Sequence, residues 1–168
     1  MDAVNEGTQP SPNIIIIMAG TNDAWFRDKR PHAFDNIVGH ASERDKNVVG
    51  HASKRDETDD MVSLCGAVRH GCGMLKNAFP AARVVLVTPM QSTAVPDSII
   101  AVASDIIEDT GQQMGLSVLR LDRDGCVVSE QERLNKQFTY DGTHTNEQGA
   151  QCTARLIVDF INNVGAER

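Results

Sequence analysis

No stretch of this sequence approaches the roughly 20 consecutive apolar residues of a membrane-spanning helix. The longest candidate, Ile14 to Gly20, is far too short. A basic surplus is also lacking, since 16 Lys and Arg stand against 23 Asp and Glu, for a net charge of −7. That balance favours solubility and argues against a surface for nucleic acid or anionic membrane. The opening residues, Met1 to Glu6, hold neither a basic nor an apolar region, so no signal peptide is expected in the chain as given. The four cysteines, Cys65, Cys72, Cys126 and Cys152, form no CxxC pair and no metal-like cluster with histidine. They are expected to be small buried hydrophobes in a reducing compartment. No glycine-rich phosphate loop is present, which ranks a nucleotide or phosphate binder last.

What is present fits one domain with one substantial core in 168 residues. Residues 13 to 19 form a continuous β-branched run, expected as a strand covered on both faces. Residues 83 to 88 repeat the pattern and stop at Pro89, and residues 117 to 121 give a third, weaker strand. Between them, Met61, Leu64, Cys65, Val68, Cys72, Leu75 and Phe79 follow the helical period. A second helix follows Pro96, with Asp97 as its expected N-cap, Ile99, Val102, Ala103, Ile106, Ile107 and Met114 as its stripe, and Gly115 as its stop. A third spans about 146 to 163, with Ala150, Ala154, Ile157, Val158 and Ile161 expected inward. Strands alternating with helices predict an α/β fold with a parallel sheet and right-handed crossovers.

Residues 27 to 60 interrupt this order. They hold seven positive and eight negative residues, and within them residues 36 to 46 are repeated at 47 to 57 with eight of eleven positions identical. Two copies are too few for a solenoid. A charged surface insertion that tolerated a local duplication is the expectation; a paired site from His40 and His51 is the sharper alternative.

Ligands of open parallel sheets bind outside the carboxyl ends of the strands, and two motifs fall there. Gly20-Thr21-Asn22-Asp23 follows the first strand, where glycine permits a sharp turn and the Asn22 amide can face a developing oxyanion. Ordinary turn chemistry would use the same residues. Tyr140-Asp141-Gly142-Thr143-His144-Thr145-Asn146 precedes the last helix. A carboxylate three residues before a histidine can hold its Nδ1–H and leave Nε2 as a base. The plainer reading is that Asp141 tightens a loop and that Thr145 or Asn146 caps the helix.

In this order on this sheet, the two motifs resemble those of the SGNH, or GDSL-type, hydrolases: esterases, lipases and carbohydrate deacetylases. The resemblance extends to Pro80 before the second strand and to Asn146 through Ala150 entering the last helix; Thr145 stands where the family usually has proline. It implies a three-layer, flavodoxin-like fold, here truncated to its last three strands. It also implies that Asp141 and His144 are the acid and base of a serine triad and that Gly20 and Asn22 help form the oxyanion hole. A small-molecule or carbohydrate ester would be the substrate, with no metal or organic cofactor.

The family's Gly-Asp-Ser block and its second oxyanion glycine are missing from these 168 residues. The eleven residues before Pro12 cannot hold a βαβ unit, which takes about 30. Ser11 lies between prolines, and Ser92 is an unpromising substitute, so no nucleophile is assigned. The chain alone is expected to be inactive, a separate chain supplying the earlier blocks or self-association through the first strand being the partner expectation. A non-catalytic binding module retaining the fold is the alternative. Compartment is left open: cytoplasmic for the chain as given, secreted if a leader precedes it.

Overall fold

A computed structural model of the chain describes residues 7, 10–30, 32–35 and 62–166. At its centre lies a sheet of three parallel strands, β1 (Ile14–Met18), β2 (Arg83–Val87) and β3 (Ser117–Leu119), in the order β1-β2-β3. Ile14 aligns with Arg83 and Met18 with Val87, while Val85 aligns with Ser117 and Val87 with Leu119. The short α1 (Thr21–Trp25) follows β1, and α2 (Leu64–Ala78) leads into β2. Helix α3 (Asp97–Gln113) connects β2 to β3. After β3 come α4 (Leu121–Asp124), α5 (Ser129–Asn135) and the long α6 (Glu147–Ala166). Among the described residues no helix is long and apolar enough to cross a membrane.

Alternation along the strands sorts the core into two faces. Val84 and Leu86 of β2 join Ile15 and Ile17 of β1 against Leu64, Cys65, Val68 and Cys72 of α2 and Ile100, Ala103, Ile106 and Ile107 of α3. On the opposite face Val87, Leu119 and Leu121 pack against Leu156, Ile157 and Phe160 of α6. Helices thus flank the sheet on both sides, and the class is the α/β expected. Central β2 is covered on both faces, as its unbroken apolar run requires.

Strand β1 departs from expectation. Ile14, Ile16 and Met18 are 41%, 46% and 44% exposed, because α6 lies over β2 and β3 and leaves that face of β1 open. Its outer edge also has no paired strand among the described residues. The third strand is shorter than the sequence suggested, since Leu121 already belongs to α4.

The helix boundaries follow local chemistry. Ser63 Oγ accepts from the Gly66 amide at 3.1 Å and caps α2. Gly115, at φ +67°, ends the turn after α3, with the Leu116 amide donating back to the Gly111 carbonyl at 2.8 Å. Asp97 is not the N-cap; Pro96 holds that position, and the Asp97 carboxylate accepts from Ser129 Oγ at 2.7 Å. The inward face of α6 differs in part. Ile157 turns toward the sheet as expected, joined by Leu156 and Phe160, whereas Ala150, Ala154 and Val158 face solvent.

The charged segment begins docked rather than solvated. After a 3-10 turn at Arg27–Lys29, Ala33 is buried, Phe34 packs against the core, and the Ala33 carbonyl accepts from the Leu64 amide at 2.7 Å. The repeat at 36–57, with His40 and His51, lies outside the described residues.

Two crosslinks fasten the far side. Arg120 at the end of β3 is buried and bonds Asp122 at 2.7 Å, Asp105 at 2.8 Å, and Glu108. Burial pulls this guanidinium toward deprotonation, but hydrogen bonds to Asp122 and Asp105 outweigh it and hold the charge firmly. Cys126 and Cys152 form a disulfide with Cα atoms 6.3 Å apart. This corrects the expectation of four thiols; Cys65 and Cys72 stay outside the disulfide and are buried as expected. Such bonds persist in oxidising compartments.

Two stability tests follow from this packing. A Cβ at Gly111 would lie 2.5 Å from Val118 Cγ2 and 2.9 Å from Leu86 Cδ1, whereas one at Gly73 would meet nothing within 4 Å. By urea denaturation, Gly73→Ala should stabilise by about 0.5–1 kcal/mol through helix propensity. Gly111→Ala should destabilise by up to about 2 kcal/mol, overpacking outweighing the same gain. The Cys126→Ser/Cys152→Ser protein should lose about 3.5 kcal/mol, the loop-closure value for a separation of 26 residues. Equal midpoints in urea would count against the bond.

Candidate active site

The carboxyl ends of β1 and β2 define the edge on which the two motifs meet. Beyond β1 the chain turns at Gly20, whose φ of +95° belongs to the left-handed region. A Cβ there would also lie 2.8 Å from Ile107 Cδ1 and 3.1 Å from Pro89 Cγ, so both the backbone and the packing demand glycine. The turn opens α1, in which Asn22 is exposed and its backbone carbonyl accepts from the Phe26 amide at 2.9 Å.

The second motif is a loop folded on itself ahead of α6. Thr139 and Thr145 form an antiparallel bridge, and the Tyr140 amide donates to the His144 carbonyl at 2.9 Å. At the tip, Asp141 Oδ1 accepts from the amides of Thr143 at 2.9 Å and His144 at 2.8 Å. Its Oδ2 meets His144 Nδ1 at 2.7 Å. The sequence-expected pair is therefore in contact. Donation from the His144 amide, then from its ring and the Thr143 amide, holds the Asp141 carboxyl far below the usual aspartate range. An ionised Asp141 can hold a ring proton on Nδ1 and leave Nε2 as the nitrogen it does not engage. The two side chains are 55% and 74% exposed, so the pair lies open to an incoming molecule.

The plainer role of this segment coexists with the pair. Asn146 Oδ1 accepts from the Gly149 amide at 3.0 Å and caps α6. A Cβ at Gly149 would fall 2.0 Å from the Phe138 carbonyl oxygen, which keeps the helix start close under the loop.

One segment touches both motifs. After β2, Pro89 lies against Gly20, while Ser92 Oγ and Thr143 Oγ1 share a hydrogen bond of 2.7 Å. The Thr93 amide donates to the Gly142 carbonyl at 2.9 Å. Gly142 has a φ of +92°, and a Cβ there would lie 1.9 Å from Thr93 Oγ1. Ser92 is buried and also accepts from the Ala94 amide at 3.1 Å, so its hydroxyl is a brace for the loop. Gly20–Asn22 and Asp141–His144 thus rest on one support, without a direct hydrogen bond between them among the described residues.

Two contributors lay beyond sequence reasoning. Glu132 and Thr139 are buried beneath the loop, and Thr139 Oγ1 accepts from the Gly142 amide at 2.9 Å. A buried Glu on a seven-residue helix has no sequence signature; nothing in the segment, which also carries Glu130, marks Glu132 as the one that is buried. Among the described residues, no group of three or more His, Cys, Asp or Glu side chains is arranged to hold a metal ion.

Comparison with solved structures places the fold among known ones. One crystal structure superposes with a TM-score of 0.69 at 14% identity, covering 95% of this chain and 69% of that one. A protein from Lactobacillus plantarum superposes with a TM-score of 0.62 at 18% identity, covering 96% of this chain and 72% of its own. No curated protein matches in sequence. The model of the GDSL-like Lipase/Acylhydrolase family, however, matches residues 2–152. With that match covering most of its length and a three-stranded parallel α/β fold, the chain belongs to the GDSL-like lipase/acylhydrolase family.

Proposed function

We propose that this hydrolase fold serves ester hydrolysis, with Asp141 and His144 as the orienting acid and the general base. The observation that carries this reading is the 2.7 Å contact between Asp141 Oδ2 and His144 Nδ1 on a loop open to solvent. In the proposed reaction His144 Nε2 takes the proton of a serine hydroxyl as its oxygen attacks the ester carbonyl. Asp141 stabilises the imidazolium that forms, and His144 returns the proton to the leaving alcohol; a water, deprotonated by His144 in the same way, then cleaves the acyl-serine to the acid and restores the serine hydroxyl. Asn22 and the Gly20 turn contribute donors to the oxyanion, an effect of about 3–4 kcal/mol for such a donor elsewhere.

The serine is supplied from outside these 168 residues. Supporting this, Ser92 is buried and its hydroxyl is occupied by Thr143 and Ala94. The bare edge of β1, with Ile14, Ile16 and Met18 exposed beside it, is the place for a further parallel strand and its covering helix. A preceding segment or a separate chain would serve equally. A small-molecule or carbohydrate ester is the substrate class.

Hydrolysis of p-nitrophenyl acetate tests the reading in two forms of the protein. The 168-residue chain should show no turnover that His144→Ala removes. A chimera carrying a family member's first strand, Gly-Asp-Ser turn and first helix ahead of residue 10 should gain turnover. Asp141→Asn should then lower kcat by roughly 10⁴-fold, the cost of a misplaced tautomer in a serine triad. Turnover by the unmodified chain that depends on His144 would place the nucleophile within it. A folded chimera indifferent to His144→Ala would favour a binding module.

A further inference from the structure

Beneath the exposed pair lies a carboxylate that the proposed reaction does not use. Glu132, on α5, is 1% exposed. Its Oε1 accepts from the Phe138 amide at 2.8 Å, and its Oε2 accepts from the Thr139 amide at 3.0 Å and from the Thr139 hydroxyl. All three donors belong to the first arm of the loop that carries Asp141 and His144. Because the Thr139 hydroxyl gives its proton to Glu132, its oxygen is free to accept, and it does so from the Gly142 amide at 2.9 Å. Gly142 lies between Asp141 and Thr143 at the tip, where the left-handed turn points the Thr143 and His144 amides at Asp141.

No Arg, Lys or His among the described residues pairs with Glu132. A buried carboxylate without a cation is costly unless hydrogen bonds satisfy it. Here the compensation comes entirely from residues 138 and 139. The chain of bonds runs one way: Glu132 fixes Thr139, Thr139 fixes Gly142, and Gly142 sets the turn that brings Asp141 to His144. The exposed pair has no other support from α5.

We propose that Glu132 is a positioning residue for the Asp141–His144 pair, acting through Thr139 and the Gly142 turn. Its relevance to catalysis rests on the hydrolase reading above, but the positioning can be measured without activity. The readouts are the carboxyl titration of Asp141 by carbon-detected NMR and hydrogen exchange at the Gly142 and His144 amides, in the 168-residue chain. In Glu132→Gln one of the two acceptor oxygens becomes an NH2 donor, which must face either the Phe138 amide or the Thr139 amide and hydroxyl. The Asp141 midpoint should move up toward the ordinary aspartate range, and the two amides should lose protection.

Thr139→Val, which removes only the hydroxyl, should give the same shift at Asp141, and it carries the test should Glu132→Gln fail to fold. Thr139→Ser, which keeps the hydroxyl, should return the wild-type titration. A folded Glu132→Gln or Thr139→Val protein with a lowered melting temperature and an unchanged Asp141 titration would overturn the proposal, leaving Glu132 a stabilising group only. An activity failure in the chimera would leave these NMR shifts unaltered, so the two readings fail separately.

Discussion

The structure depends on how the loop after β2 holds two distant pieces of chain at one edge of the sheet. Pro89 lies against the Gly20 turn, and three residues later Ser92 and Thr93 bond to Thr143 and Gly142. A Cβ at Gly142 would collide with this segment, and one at Gly20 would press on Pro89 and collide with Ile107. The site is therefore defined by close backbone approach, which only glycine permits at those two positions. β2 is the most deeply buried strand, so its end is a stiff platform for both motifs.

Around that platform, support is uneven. On one side Thr88 Oγ1 donates to Asp122, which Arg120 holds against α3, and the Leu121 amide donates to Thr88 in turn. The disulfide from Cys126 to Cys152 encloses α5 and the whole Asp141–His144 loop, so the exposed pair is anchored at both ends of its segment. On the other side β1 has a bare edge and a half-covered face. The molecule is tight where the Asp141–His144 loop is built and open where another strand could pair. That asymmetry is what the proposed division of the site would require.

Much of this was legible in the sequence, for definable reasons. The apolar runs of β1 and β2 are short, rich in β-branched residues and bounded by turn residues, which marks both as strands. The Asp-Gly-Thr-His spacing places carboxylate and imidazole within one turn, a purely local relation. What was hidden depended on tertiary choice. Coverage of β1 on both faces was wrong because a strand's apolar run does not state whether a second helix layer reaches it. The inward face of α6 was missed in part because apolar residues occupy a wide arc from Cys152 to Ile161, and only the position of β2 and β3 selects Leu156, Ile157 and Phe160. Pairing of Cys126 with Cys152 joins a loop to a helix 26 residues on, which no spacing rule encodes. Glu132 was invisible because short helices such as α5 lack enough turns for a period, and its partners lie in a loop.

Active-site labelling with a fluorophosphonate, followed by peptide mass mapping, tests the divided-site account most directly. In the chimera the label should sit on the serine of the added Gly-Asp-Ser turn and should require His144. In the 168-residue chain no serine should react, Ser92 included. His144-dependent labelling of Ser92, or of any serine within the chain itself, would contradict the account.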